Sequence, residues 1–316
     1  MWIFPLEEVD LRVYSYKTKI LKMLSLSIIC IIGILSIIYF EINKNSIGST
    51  LGGLVAGFLL PYLFSSIVDL TDNKNWKSTQ RKLLRAGLIQ KDTIIRISFA
   101  YLYRIKIDGR YFLVQNTRTK KYQPVGGAYK FKIEEANYLA EHIPVENDNR
   151  IPVDKITKRD YRLLVKNKYL RKFVKRFDKT PYRENINDLS REFFEEVFST
   201  SILDKNKFGD LSYKYCGRHM TNVEYGNVFN HYELLLADVV EVRLTDNQEE
   251  LFRNLIDKDS IKYKFATSDE IKSYGVGYGT DKLTDNIANH TPKILSENAD
   301  RLILRNRNEN VIKIQV

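Results

Sequence analysis

The chain has 316 residues, 44% hydrophobic and 12% aromatic, with a formal net charge of +11. That length suffices for one or two cored domains, and the apolar share excludes a disordered chain. Two cysteines exclude a disulfide-stapled secreted scaffold.

A mean hydropathy of −0.32 describes a soluble protein only until the chain is read by segment. Residues 23–40 and 47–68 are uncharged apolar runs joined by residues 41–46. A bilayer core takes a helix of about 20 apolar residues, so both runs qualify as transmembrane helices of one hairpin. The first run is long for a signal peptide and has no small-residue cleavage site. A buried soluble hairpin is the other alternative. Arg12, Lys17, Lys19 and Lys22 precede the first run, and Lys74, Lys77, Arg81, Lys82 and Arg85 follow the second. The loop between carries only Lys44. The positive-inside rule then predicts a cytoplasmic segment 1–22 and a cytoplasmic C-terminal part.

Gly48/Gly52 and Gly53/Gly57 are two GxxxG pairs in the second run. Such pairs let helix backbones approach closely, either inside the hairpin or between protomers of a homo-oligomer. Pro61 is expected to loosen the same helix. Neither run holds a charge, so the segment is an anchor, or a part that acts after self-assembly.

Residues 69–92 predict a basic linker helix ending near Gly87, with Trp76 suited to headgroup level. From Thr93 the pattern becomes β, and Asp108-Gly109 predicts a tight hairpin turn. The sequence YQPVGG follows, with Gly126 and Gly127 after Pro124. Residues 155–183 hold twelve Lys/Arg and two acids, interleaved with apolar residues, and read as amphipathic helix. This block has three readings: a wall of a ligand site, a surface on anionic lipid, or a solvated helix face. Further on, residues 189–197 predict a helix, 228–244 one or two strands, 247–256 a helix and 262–266 a strand. Thr267 to Glu270 resembles a capping box, and residues 301–305 and 311–315 are short strands. Residues 93–316 therefore predict one mixed α/β domain.

Arg191-Glu192-Phe193-Phe194-Glu195-Glu196 carries the chemistry. On a helix, Leu189, Phe193 and Val197 form an apolar stripe, and Glu192, Glu195 and Glu196 converge on a separate arc. Such a cluster suits Mg²⁺, the one cofactor this chain suggests, with Arg191 orienting a neighbouring carboxylate. A solvated acidic face is the alternative. The four histidines are scattered and show no paired metal spacing.

This hexapeptide, after a β-hairpin and a Pro-x-Gly-Gly loop, resembles the Nudix box, G-x5-E-x7-R-E-U-x-E-E-x-G-U. HYELLLADVVEV and KFATSDEIKSYG resemble later strands of that family. The resemblance implies an α/β/α sandwich with a mixed sheet and a basic helical insertion at about 130–187. That insertion puts 64 positions between Gly127 and Arg191, which the box keeps close. The upstream box glutamate falls on Arg183, with Glu184 one position off, and the glycine after the glutamates is Phe198.

A two-helix anchor fused to a divergent Nudix-like domain resembles the membrane-anchored Nudix effectors of bacterial CBASS anti-phage systems. The resemblance implies a bacterial inner-membrane protein that senses a cyclic di- or oligonucleotide made by a separate nucleotidyltransferase. Binding would drive oligomerisation and disruption of membrane lipids, with no role on genomic DNA. Phosphates call for Arg/Lys and bases for aromatic faces. On that basis Arg104, Arg110, Tyr122, Gln123, Gly126, Gly127 and Tyr278 are the candidate ligand residues. Tyr278 lies in a glycine-rich stretch, 274–279, that is either a cover or an ordinary turn. Two alternatives stand beside this reading. One is a tethered Mg²⁺-dependent hydrolase using Glu192, Glu195 and Glu196. The other is a structural or lipid-surface anchor.

Overall fold

The computed structural model describes residues 11–71, 76–148, 157–226, 229–275, 285–296, 302, 304–305 and 310–315. They fall into two units, Met1–Ser78 and Thr79–Val316.

The first unit is a helical hairpin of α1 (Leu11–Ile42) and α2 (Ser46–Thr71). Leu21–Ile42 and Ser46–Phe64 are each long and apolar enough to cross a membrane. Ile31, Leu35, Leu54 and Phe58 are more than half exposed outside any protein contact, as expected for helices that are apolar all round. Asn45 closes the turn, its side chain accepting from the Gly48 N–H at 3.1 Å. The two GxxxG pairs have different surroundings. A Cβ at Gly48 would run into the Phe40 ring, and one at Gly52 would lie 3.0 Å from Ile37 and 3.2 Å from the Gly33 carbonyl. Around Gly53 and Gly57 there is open space. α2 continues through Pro61 without a break.

The helix α3 (Trp76–Arg85) runs across the boundary into the second unit and stops before Gly87, whose φ of +70° suits a helix end. There follow β1 (Ile94–Arg104), β2 (Lys106–Ile107), β3 (Arg110–Gln115), β4 (Tyr122–Gln123) and β5 (Gly126–Ala128). Next come α4 (Ile133–His142), β6 (Val145–Asn147), β7 (Arg162–Lys166) and α5 (Leu170–Lys179). Then α6 (Arg191–Phe193), α7 (Lys205–Phe208), β8 (Leu211–Met220), β9 (Glu224–Gly226), β10 (His231–Val242) and α8 (Asp246–Ile256) lead to the last elements. These are β11 (Tyr263–Ala266), α9 (Ser268–Lys272), β12 (Leu304–Arg305) and β13 (Val311–Ile314).

The larger sheet runs β12-β8-β10-β1-β7-β6, with β1 and β10 parallel at its centre in the register Phe99 to Leu236. The smaller sheet is β11-β3-β2, with β4 on β3. Asp108 and Gly109 both have positive φ, as a two-residue hairpin turn requires.

β1 does not alternate in burial, because it is buried on both faces. Its charged residues survive burial through partners. Arg96 bonds Asp148 at 2.6 Å and Glu233 at 3.1 Å. On β10, Asp238 accepts from Arg218, Tyr129 and Tyr215, which matches the rule that buried charge is paired.

The basic block is only partly helix. Residues 162–166 form β7, which alternates in burial and pairs with β1 from Ile94 to Ser98. β5 takes the same edge of β1 further along, at Ala100 to Leu102. The insertion thus extends the central sheet. Its helix α5 buries Phe173 and Phe177 against Phe99, at ring separations of 5.9 and 4.7 Å.

Candidate functional site

Local backbone geometry builds the glycine wall of the site. Gly126 has φ +142°, and a Cβ there would strike the Tyr101 carbonyl of the neighbouring strand. A Cβ at Gly127 would strike the carboxylate of Glu192. Only glycine permits both approaches.

The acidic helix is short. α6 gives way to a π turn over Phe194–Phe198, where the Ser199 N–H donates to the Phe194 carbonyl five residues back, at 2.9 Å. Such turns recur at functional sites. The wider turn buries both Val197 and Phe198, with the Phe198 ring on Phe193 and Phe208. Leu189, Phe193 and Val197 are buried as the predicted stripe.

Arg191 organises the carboxylates. Its Nε donates to Glu184 Oε1 at 2.6 Å and its Nη2 to Glu184 Oε2 at 3.2 Å. Nη1 donates to Glu192 at 2.6 Å and stands 3.5 Å from Glu195, while Nη2 also reaches the Ala128 carbonyl. Burial opposes the Arg191 charge, but the bond to Glu184 and the field of Glu192 outweigh it and hold its pKa above the ordinary value. Glu196 is held separately. It accepts from the Gly126 N–H at 2.8 Å and lies 3.4 Å from the Gln123 amide. Burial, then the charge of Glu192, pushes its pKa up to about 8 against those two bonds. Burial also raises Glu192.

The three glutamates line one cleft of about 790 Å³, shared with Arg191, Gln123, Gly126 and Gly127. They do not converge as expected. Arg191 holds Glu192 and Gly126 holds Glu196. Among the described residues, no three His, Cys, Asp or Glu side chains stand close enough to hold a metal ion together. This arrangement of the donors does not fit a shared Mg²⁺ site.

The other candidates scatter. Arg104 lies outside the cleft, buried and bonded to Glu241 at 3.1 Å and to the carbonyls of Ile294 and Leu295. Arg110 and Tyr122 line a separate depression of about 320 Å³ beside Lys258 and Lys264. Tyr278 and most of the stretch 274–279 lie outside the described residues.

Sequence reasoning did not single out Arg118, Asp160, Arg162 and Lys262, all of which line the cleft. Glu184 had one legible signal, its position one residue from where the box pattern puts its upstream glutamate. Part of the basic charge in the insertion is engaged locally. Arg176 pairs with the fully buried Glu135 at 2.6 Å, and Arg183 donates to the carbonyls of Phe177 and Glu184. Lys175 and Lys179 remain exposed.

A search of the curated proteins found no match. A family model, the SMODS-associated NUDIX domain, matches residues 94–295, which is more than half of the chain. The match spans the glycine wall, the acidic turn and the insertion between them. Such a domain implies the context of a CBASS-linked effector. By that match the chain belongs to the SMODS-associated NUDIX domain family.

Proposed function

We propose that this chain is a CBASS receptor-effector. Its cleft senses a cyclic oligonucleotide made by a separate nucleotidyltransferase. Ligand binding favours an assembled state in which α1 and α2 span and disrupt the bacterial inner membrane. Both termini are cytoplasmic on the distribution of Lys and Arg around the apolar helices. The observation that carries this reading is a single chain joining two membrane-length helices to a NUDIX-family cleft of about 790 Å³. That volume lies within the range of small-molecule sites.

A Mg²⁺-dependent hydrolase is the second reading, since Arg191 contacts one oxygen each of Glu192 and Glu195 and leaves the other to a cation.

The test is dye release from anionic liposomes carrying the full chain, titrated with cyclic di- and trinucleotides. Release that depends on nucleotide and rises with protein density is expected. Tight binding without release at any density would remove the effector claim.

A further inference from the structure

We propose that the inserted segment supplies a phosphate-binding residue, Arg162, to the cleft. Together with Arg118 and Lys262 it forms a clamp for a ligand carrying two anionic phosphate groups. The inference rests on the nucleotide-receptor reading and names the residues that would serve it.

Arg162 differs from Arg176 and Arg183, two other arginines of the insertion. Arg176 makes three contacts of 2.6–3.1 Å with Glu135. Arg183 is bonded to two backbone carbonyls and stacked on Phe177, 4.1 Å from the ring centre. Arg162 has a looser restraint. Its Nη1 stands 3.3 Å from Asp160 Oδ2, longer than a tight charge-assisted bond of about 2.7–2.9 Å. Asp160 itself is fixed by Lys130 Nζ at 2.7 Å on its other oxygen. This buttress steers the guanidinium without engaging the whole fork of five donors. The Arg162 side chain keeps 26% exposure, and it lines the cleft.

The remaining cations come from the other sheet. Asn116 folds the turn after β3, its Oδ1 accepting from the N–H groups of Arg118 and Thr119 at 2.9 and 3.0 Å. Gln115 N donates to the Lys262 carbonyl at 2.8 Å, which ties the start of β11 beside that turn. Lys262 Nζ donates to the Thr200 carbonyl at 2.9 Å. Both sheets thus bring cations to a cavity whose acidic helix would repel an anion placed near Glu195. Two phosphates held by cations of the two sheets resolve that conflict, because they engage the cations and keep clear of the carboxylates.

The experiment uses the full chain in detergent micelles. Thermal shifts are titrated with a panel of 2′,3′- and 3′,3′-cyclic dinucleotides and, separately, with inorganic pyrophosphate. Wild type is compared with Arg162→Gln, Arg162→Lys and Lys175→Gln, the last an equal charge change on an exposed residue outside the cleft. The expected result is a loss of about tenfold or more in affinity for Arg162→Gln, partial recovery in Arg162→Lys, and no change in Lys175→Gln. Unliganded melting of each variant shows that it is folded. Should Arg162→Gln fold but melt early, the Arg162→Lys comparison decides. A nucleotide that binds wild type and Arg162→Gln within twofold overturns the assignment and leaves the receptor reading standing. Pyrophosphate binding that depends on Arg162, with no cyclic dinucleotide bound, supports the clamp and overturns the nucleotide reading. Binding of neither probe overturns both.

Discussion

Glu184 and Arg191 form a two-point ion pair, although Glu184 stands one position away from where the box spacing puts its glutamate. Glu184 is itself anchored, since its Oε2 also accepts from the Lys130 N–H at 2.8 Å.

Removing that carboxylate should therefore loosen the whole site. Breaking a buried pair costs about 3–5 kcal/mol, and here the side chains keep 22% and 18% exposure, so water screens part of it. Glu184→Gln is expected to destabilise the second unit by about 2 kcal/mol in urea unfolding. Arg191→Lys should lose most of the same stability, because an ammonium cannot reproduce the fork. Full stability in Arg191→Lys would show that the two-point geometry contributes nothing.

The glycine wall makes a graded prediction. Gly109→Ala meets open space and suffers only its φ of +81°, a cost of about 1 kcal/mol. Gly127→Ala carries no φ penalty but must push the Glu192 carboxylate off Arg191, losing a charged hydrogen bond of about 1.5–3 kcal/mol. Gly126→Ala meets backbone, the Tyr101 carbonyl, which cannot swing aside. Melting temperatures should fall in the order Gly109, Gly127, Gly126. Losses at Gly109 and Gly126 with none at Gly127 would mean that φ alone matters, since Gly127 is not in the left-handed region.

What the sequence disclosed was local. The Asp108-Gly109 turn needs only its own two residues. The Thr267 capping box forms as written, with Thr267 Oγ1 accepting from the Glu270 N–H and Glu270 accepting in return. The apolar runs of α1 and α2 are likewise visible without a partner. Features set by pairing between distant segments were hidden. RLLVK in the insertion reads as part of a basic helix until β1 offers it an edge. Arg104 looks like a phosphate ligand until Glu241 on the parallel neighbour β10 takes it. The π turn at Phe194 depends on where Phe198 packs, and periodicity contains no such information.

Two buried hydroxyls near the acidic helix give a further test. Tyr101 and Tyr103 are fully buried on β1, and neither hydroxyl has a hydrogen-bond partner among the described residues. A buried unmet donor costs free energy, whereas deleting it leaves shape intact. Tyr103→Phe should be neutral or stabilising in urea unfolding. A loss above about 1 kcal/mol would show that the hydroxyl is satisfied.

Glu196 predicts a pH dependence. Its folded pKa of about 8 lies above the ordinary 4.5, so between these values the fold holds a proton that the unfolded chain has released. Stability must then fall as pH rises through that window and level off above it. Glu196→Gln keeps an oxygen to accept from Gly126 and removes the titration. The difference in unfolding free energy between wild type and Glu196→Gln should shift in the variant's favour from pH 5 to pH 8. A pH-independent difference would mean that Glu196 is ionised throughout.

The hairpin glycines separate intramolecular packing from assembly. Gly52 lies against Gly33 and Ile37, so Gly52→Ile should wedge α1 from α2 and lower expression and stability together. Gly57 faces open space, so Gly57→Ile should leave the hairpin and the cleft intact. If protomers meet along Gly53 and Gly57, Gly57→Ile will bind nucleotide like wild type yet cut dye release at least tenfold. Crosslinking in the same liposomes should lose the higher oligomers in parallel. Wild-type release from Gly57→Ile would move the assembly surface elsewhere on the hairpin, because an isoleucine branched at Cβ keeps helix backbones from approaching as closely as paired glycines do.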